Sequence, residues 1–139
     1  MPWDYRKIIG RDIFGLVVCW CSMSDKIPFD KQELSVLGVR VSLIKDSSEI
    51  GHAFLYVLKN DLHKEPFGFL EDVFINEKYR SQGCGKELVK EVISEAKKRG
   101  CYKLLCTSRS GKDKVHKFYT DLGFKDCGKE FRMDLGLSI

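Results

Sequence analysis

The sequence predicts a mixed α/β domain built on a mostly antiparallel sheet of about six to seven strands with flanking helices. Apolar and polar residues alternate along segments before residue 75, as in strands, and a strand–helix–strand pattern follows them. The length of 139 residues fits one domain with one core, so we treat residues 1–139 as a single domain. Hydrophobic residues make up 43% of the chain and charged residues 32%, so we expect a folded domain and not a disordered chain.

An antiparallel meander of strands is predicted between residues 39 and 75. Val39–Leu43 alternates apolar and polar residues. Asp46–Glu49 reads as a turn, and Ile50–Lys59 as a second, more buried strand. Asn60–Pro66 interrupts the pattern, and Phe67–Ile75 is the next strand. Because short connections join antiparallel neighbours, these strands should lie side by side.

A helix is predicted from about Gly85 to Arg99, followed by a strand at Cys101–Thr107. Gly100 is suited to end the helix. The apolar residues recur at helical spacing and define one buried stripe: Leu88, Val89, Val92, Ile93 and Ala96. The order strand, helix, strand is typical of a parallel right-handed crossover.

A second helix is predicted from about Asp113 to Leu122, ended by Gly123. Ser110 and Asp113 have the spacing of a capping box. The two segments that follow are predicted to be closing strands, at Phe124–Cys127 and Lys129–Leu135.

Composition and charge narrow the classes of partner. A net charge of +4 suits a phosphorylated small ligand, and no aromatic–basic run points to nucleic acid, so we expect no nucleic-acid partner. The apolar run Ile13–Cys21 has nine residues, whereas a membrane span needs about 20. Asp4 and Asp12 reduce the positive charge before this run, which argues against a signal peptide. We expect a buried strand at Phe14–Cys21, a short helix after Asp30 and no membrane partner.

The six cysteines and three histidines show neither a CxxC pair nor zinc-ligand spacing. Most of the cysteines lie in apolar runs, where the thiol behaves as a small hydrophobic group. We therefore expect reduced thiols, a cytoplasmic location and no metal.

The stretch YRSQGCGKELV, residues 79–89, predicts an anion site on backbone amides. Gly83 and Gly85 directly precede a helix, whose N-terminus offers unpaired N–H groups and the positive end of the helix dipole. Phosphate is the anion most often bound in this way.

Two common phosphate loops do not fit this stretch. A P-loop needs glycine where Arg80 stands and Ser or Thr where Glu87 stands. A dinucleotide fingerprint needs glycine where Leu88 stands and an acid about 20 residues further on, which is missing. The remaining pattern is Arg80-x-x-Gly83-x-Gly85.

This pattern, together with Phe118–Phe124 (FYTDLGF), resembles the GNAT superfamily of N-acetyltransferases. The family's motifs are [QR]-x-x-G-x-[GA] at a helix start and FYxxLGF, and the resemblance covers about Glu49 to Leu135. It implies a GNAT-type sheet with a βαβ cofactor unit. It also implies acetyl-CoA and an amine acceptor as partners, and leaves a homodimer open.

The resemblance also implies the site residues. The pyrophosphate and pantetheine of acetyl-CoA would be bound by Val73, Phe74, Ile75, Arg80, Ser81, Gln82, Gly83, Cys84, Gly85, Lys86 and Lys112. Lys112 stands where many members have Asn. Tyr119 corresponds to the family's general acid, and a backbone amide near Val73–Ile75, where the strand bulges, would stabilise the oxyanion.

Glu71 is the candidate base. A lysine-like amine has a pKa near 10.4, so only about 1 in 2,500 molecules is unprotonated at pH 7, and a carboxylate can remove the proton. Glu71 and Asp72 are adjacent, and strand alternation predicts that they face opposite sides of the sheet. The sequence leaves the acceptor open between a small, cationic amine, a protein lysine or N-terminus, and no acceptor at all in an acyl-CoA sensor.

Overall fold

The structure is a computed structural model that describes residues 29–136. Residues from Leu34 onward belong to one compact unit, which holds every helix and strand described below. The predicted strand at Phe14–Cys21 lies outside the described residues.

Four strands form one sheet in the described part of the chain, in the order in which they occur in the sequence. β1 (Leu37–Lys45), β2 (Ser48–Leu58) and β3 (Phe67–Ile75) pair antiparallel, and β4 (Leu104–Cys106) pairs parallel to β3. Asp46 and Ser47, both with positive φ, form the two-residue turn between β1 and β2, as hairpins of this length require. The predicted meander and the parallel crossover are confirmed.

Two α-helices accompany the sheet in residues 29–136. α1 (Cys84–Lys98) links β3 to β4, and α2 (Asp113–Asp121) follows β4. Gly100, with φ of 73°, follows α1, and Gly123, with φ of 93°, follows α2; both glycines provide the left-handed conformation that commonly ends a helix. Within residues 29–136, neither helix is long and apolar enough to cross a membrane.

The core lies between α1 and the sheet. The predicted helical stripe is buried, apart from a partly exposed Ile93, and it packs on side chains that project from one face of β2 and β3. The fully buried side chains at this contact are Leu55, Leu70, Leu88, Val89 and Val92. Since burying each such side chain contributes about 1.5–3 kcal/mol, this contact fixes α1, and with it the turn that precedes α1.

Three local predictions are wrong. Residues 31–36 form no helix, because the segment is exposed throughout and too short to be stable without a buried face. Residues 124–135 form no strands: Phe131, Met133 and Leu135 alternate as in a strand but are 82–92% exposed, and none of the four described strands pairs with them. Ser110 does not cap α2, whose N-cap is Lys112 without a side-chain hydrogen bond.

β3 contains a bulge, beyond which its side chains and backbone N–H groups point to the opposite sides from those that regular alternation would give. Phe54 pairs with Glu71 but His52 pairs with Phe74, so Ala53 alone faces two residues of β3. Asp72, one of the two, has φ of 49°, in the left-handed region that is uncommon for a residue other than glycine. One extra residue shifts the alternation of side chains and of N–H groups beyond this point.

Candidate active site

A gap opens between β3 and β4. The two strands pair only where Gly68–Leu70 meets Leu104–Cys106, and β3 continues to Ile75 with no partner on that side among the described residues. Its unpaired edge can therefore bind an extended ligand by main-chain hydrogen bonds, as an added strand does.

The bulge directs amides of β3 into this gap. Gly68 N–H donates to Lys103 O (2.9 Å) on the β4 side, whereas Asn76 N–H donates to Ile50 O (2.9 Å) on the β2 side. In a regular strand, residues eight apart would point the same way. Because the alternation shifts at the bulge, the N–H groups of Val73 and Ile75 face the gap.

The turn at the end of the gap holds the start of α1. Arg80 Nε donates to Ile75 O (2.9 Å), and Gln82 Nε2 donates to Lys78 O (2.7 Å), so both side chains brace the turn. Ser81 has φ of 60° and Gly83 φ of 85°. These contacts fix the path of the backbone before Cys84, the first residue of α1.

The amides at the start of α1 are free of protein acceptors in the described residues. The first hydrogen bond of the helix runs from Glu87 N–H to Gly83 O (3.1 Å), and no side chain caps the helix. The N–H groups of residues 83–86 therefore remain available to an anion, at the positive end of the helix dipole. The structure thus places the predicted loop, including Gly85, where an anion could bind.

Two predicted basic contacts lie on different elements. Lys86 lines a groove of about 390 Å³ together with Gln82, Gly83 and Cys84. Lys112 is the exposed N-cap of α2. α2 meets the first turn of α1 through Phe118, whose ring would lie 3.8 Å from a methyl group at Gly85.

Cys106 ends β4 opposite Leu70, the residue before Glu71, and both Cys106 and Tyr119 pack against the core. We call Tyr119, Cys106 and Glu71 the gap cluster. Burial raises the pKa of the Tyr119 hydroxyl to about 12, and Cys106 and Glu71 add to the rise. Burial likewise raises the pKa of the Cys106 thiol to about 11, with a further contribution from Glu71. The tyrosine hydroxyl is therefore protonated at neutral pH and can donate a hydrogen bond.

Glu71 and Asp72 lie on the same face of the sheet, so the prediction of opposite faces is wrong. Glu71 pairs with Phe54, on the face opposite α1, which we call the outer face. Regular alternation would turn Asp72 toward the core, but the bulge leaves its side chain 73% exposed and 4.0 Å from His52 on the outer face. Two acids thus lie beside the gap on one surface.

A polar network that the sequence analysis missed lies next to these acids. Glu49 accepts hydrogen bonds from Arg40 (2.6 and 2.7 Å) and Ser42 (2.8 Å) and lies 2.9 Å from His52 Nδ1. These contacts, led by the one from Arg40, lower the pKa of Glu49 to about 2. The four residues come from two strands, and only the pairing of β1 with β2 brings them together, so no local motif marks them.

His116 makes contacts that hold the start of α2 in place. Its Nε2 lies 3.0 Å from the backbone oxygen of Arg109, and its own backbone oxygen accepts from Thr120 (2.9 Å). The side chain therefore ties the start of α2 to the loop after β4.

The fold, the gap and the turn before α1 agree with what comparison of this chain with known proteins finds. Residues 23–124 match the acetyltransferase (GNAT) family model, and the chain belongs to this family. It is 35% identical over 68 residues to a glucosamine 6-phosphate N-acetyltransferase of Trypanosoma brucei brucei, covering 49% of this chain and 44% of the relative. A probable glucosamine 6-phosphate N-acetyltransferase of Drosophila melanogaster is 39% identical over 88 residues, covering 60% and 39%.

A solved structure shares the fold. The crystal structure of a Trypanosoma brucei acetyltransferase is 28% identical, with a TM-score of 0.65, over 70% of this chain and 69% of that one. The chain spans less than half the length of each of these two glucosamine 6-phosphate N-acetyltransferase relatives.

Proposed function

We propose that this chain is an acetyl-CoA-dependent N-acetyltransferase that acetylates a small, cationic primary amine by direct attack. The observation that carries the proposal is the continuity of the gap. The unpaired edge of β3 leads at one end to the free amides of α1, and the gap cluster and the outer-face acids lie beside it.

The residues around the gap fit the cosubstrate. The amides of residues 83–86 suit a pyrophosphate because they are uncapped and lie at a helix N-terminus. Arg80 and Lys86 flank them with positive charge, Lys112 lies on the neighbouring α2, and Val73 and Ile75 offer amides to an extended amide-containing arm. When bound, the acetyl thioester supplies the acyl group and a thiolate leaving group.

The backbone of β3 would stabilise charge on the acyl oxygen. An N–H group at Val73 or Ile75 is fixed by strand pairing on its other side, so it needs no reorganisation to donate a hydrogen bond. We therefore assign to the bulge the function of holding this N–H donor in place for the acyl oxygen.

Tyr119 would act on the leaving sulfur as a hydrogen-bond donor rather than as a full acid. Its pKa is about 12, whereas a thiol has a pKa of about 8.5. Proton transfer from the hydroxyl to a thiolate would therefore run uphill by more than about three pKa units. A hydrogen bond from the neutral hydroxyl avoids this cost.

Glu71 would remove a proton from the amine, directly or through water. It lies on the outer face beside the gap, and its charge is felt by both other members of the gap cluster. Together with Asp72, it gives this surface the negative charge that attracts an ammonium group. The acids therefore support a cationic acceptor.

A coupled thiol-release assay with purified chain tests this function. The panel contains amino sugars, polyamines, amino acids and lysine peptides, with glucosamine 6-phosphate first because it appears in the names of two relatives. We expect release that depends on a small amine and falls in Glu71→Gln. Thiol release only with peptides would indicate a protein acceptor. Tight binding of acetyl-CoA without thiol release in any mixture would indicate an acyl-CoA sensor.

A further inference from the structure

We propose that His52, held in place by Glu49, takes the proton from the acceptor ammonium, which binds between His52 and Asp72. The inference rests on the proposed function and adds an acceptor subsite to it. The three residues lie on the outer face, where β2 meets the bulge of β3.

The orientation of the His52 ring follows from its partner. Glu49 is fixed by Arg40 and Ser42 and is ionised at neutral pH. Since an ionised carboxylate only accepts hydrogen bonds, Nδ1 of His52 must carry the hydrogen in this 2.9 Å contact. In the neutral ring, Nε2 is then a bare acceptor.

Nε2 of His52, a hydrogen-bond acceptor, faces a second hydrogen-bond acceptor, the carboxylate of Asp72. His52 Nε2 lies 4.0 Å from Asp72 Oδ2, which is too far for a direct hydrogen bond. A single donor group about 2.8–3 Å from both atoms can bridge them. An ammonium group carries several N–H donors and a positive charge, so it satisfies both acceptors at once.

Packing holds the ring where this bridge requires it. The imidazole stacks on Phe74 with a centroid distance of 5.2 Å and meets the edge of Phe54 at 5.8 Å. Its side chain is only 21% exposed, whereas that of Asp72 is 73% exposed. The pair therefore combines a fixed proton acceptor with an accessible carboxylate.

Strain at Asp72 supports a function for this pair. A residue other than glycine with φ of 49° adopts an energetically costly conformation, which persists only where the surrounding structure imposes it. Here the bulge moves a carboxylate out of the core side of β3 and onto the surface beside His52. Charged groups surround His52 from all three strands of this surface. Glu49 of β2 and Asp72 of β3 face the ring directly, and Arg40 of β1 acts through its ion pair with Glu49.

The proton balance assigns a separate task to each group. The N–H bond of the ammonium breaks, its electron pair stays on nitrogen, and the proton bonds to Nε2, which gives an imidazolium stabilised by Glu49. The freed amine then attacks the acyl carbon and forms the C–N bond, and the C–S bond breaks, with its electron pair leaving on sulfur as a thiolate. The amine's second proton leaves with the thiolate, which becomes a thiol, and the imidazolium returns its proton to solvent at the exposed edge beside Asp72. Glu71, the base of the proposed function, takes this second proton from the attacking nitrogen and passes it to the thiolate.

The test is the pH profile of kcat/KM for an amine that the wild-type chain acetylates. His52→Gln should lower kcat/KM about 30-fold to 300-fold near pH 7. The deficit should shrink toward pH 9.5, because a growing fraction of the amine is already deprotonated. Asp72→Asn should mainly raise KM for the amine. Affinity for acetyl-CoA, measured by calorimetry, should change less than about twofold in both variants.

Glu49→Gln tests the positioning role. It should lower kcat/KM about threefold to tenfold with the same pH trend, and the double variant with His52→Gln should be no worse than His52→Gln alone. His63→Gln is the matched control. His63 lies on the loop between β2 and β3, where its ring packs against Tyr102 (4.7 Å between ring centroids), and it makes no contact with the proposed subsite. It should retain wild-type activity.

The outcomes separate this inference from the proposed function. A pH-independent deficit in His52→Gln, wild-type kcat/KM in that variant at pH 7, or additive effects of Glu49→Gln and His52→Gln would each overturn the relay while leaving the acetyltransferase intact. A wild-type chain that binds acetyl-CoA but acetylates no amine overturns both.

Discussion

Replacing Gly83 by alanine tests whether the turn before α1 needs its left-handed backbone. Gly83 has φ of 85° and is the N-cap of α1, and a methyl group there would meet nothing within 4 Å. Any effect of Gly83→Ala therefore comes from backbone conformation and not from a clash. This separates the geometry of the turn from the packing around it.

The magnitude follows from two opposing contributions. Alanine in the left-handed region costs about 1–2 kcal/mol, whereas replacing glycine restricts the unfolded chain and returns about 0.4–1 kcal/mol. The free energy of unfolding should thus fall by about 0.8 kcal/mol at the midpoints of these ranges, and by at most about 1.6 kcal/mol, equivalent to a few degrees in Tm. If the turn instead relaxes to negative φ, the amides of residues 84–86 rotate and acetyl-CoA affinity falls.

Urea denaturation and calorimetry with acetyl-CoA measure the two effects. Gly85→Ala is the control, because the nearest atoms to its methyl group, in Ile75 and Phe118, lie at an ordinary 3.8 Å, and its φ is not in the left-handed region. It should bind acetyl-CoA like the wild type and be as stable or more stable. Gly83→Asn should recover part of the loss, because asparagine tolerates the left-handed region better than alanine.

Equal stability and equal acetyl-CoA affinity in Gly83→Ala and the wild type would refute this reasoning. The same holds if Gly85→Ala weakens binding more than Gly83→Ala does. Either result would mean that the free amides of α1 are not the group that the turn positions.

Four further predictions follow from the gap cluster, the outer face and the core. Tyr119→Phe should lower kcat about 10-fold to 100-fold with acetyl-CoA affinity unchanged, since only the hydroxyl is lost; an unchanged kcat would exclude the hydroxyl from the reaction. Because burial raises the pKa of Tyr119 from 10.0 to about 12, the unfolded chain loses this proton first. Stability in urea should therefore fall between about pH 10 and 12, and less steeply in Tyr119→Phe. The pKa of Glu49 is lowered from 4.5 to about 2, so its effect on stability has the opposite pH dependence. Glu49 stabilises the fold above about pH 4.5, and this stabilisation is lost as pH falls toward 2. The stability of Glu49→Gln should therefore depend less steeply on pH in acid. Leu55→Ala, at a fully buried site, should cost about 2–5 kcal/mol in urea denaturation, and a cost below about 1 kcal/mol would contradict the packing of α1 on the sheet.

The elements with strong local periodicity could be predicted from the sequence. The limits of β3 agree with the predicted Phe67–Ile75, and α1 begins and ends within one residue of the predicted Gly85–Arg99. These segments combine a complete apolar stripe or run with glycine at a boundary, so each specifies its own conformation. By contrast, Lys129–Leu135 alternates like a strand but pairs with none of the strands that the structure describes, and alternation alone cannot supply a partner.

The sequence by itself determined the meander, the crossover helix and the turn that presents free amides before α1, because periodicity and glycine act over a few neighbouring residues. Only the tertiary structure decided which side chains share the outer face. The extra residue at Asp72 reverses the alternation of β3, and strand pairing brings Glu49 and His52 beside it. Register between strands depends on contacts that are distant in the chain, so no local pattern could have placed these groups together.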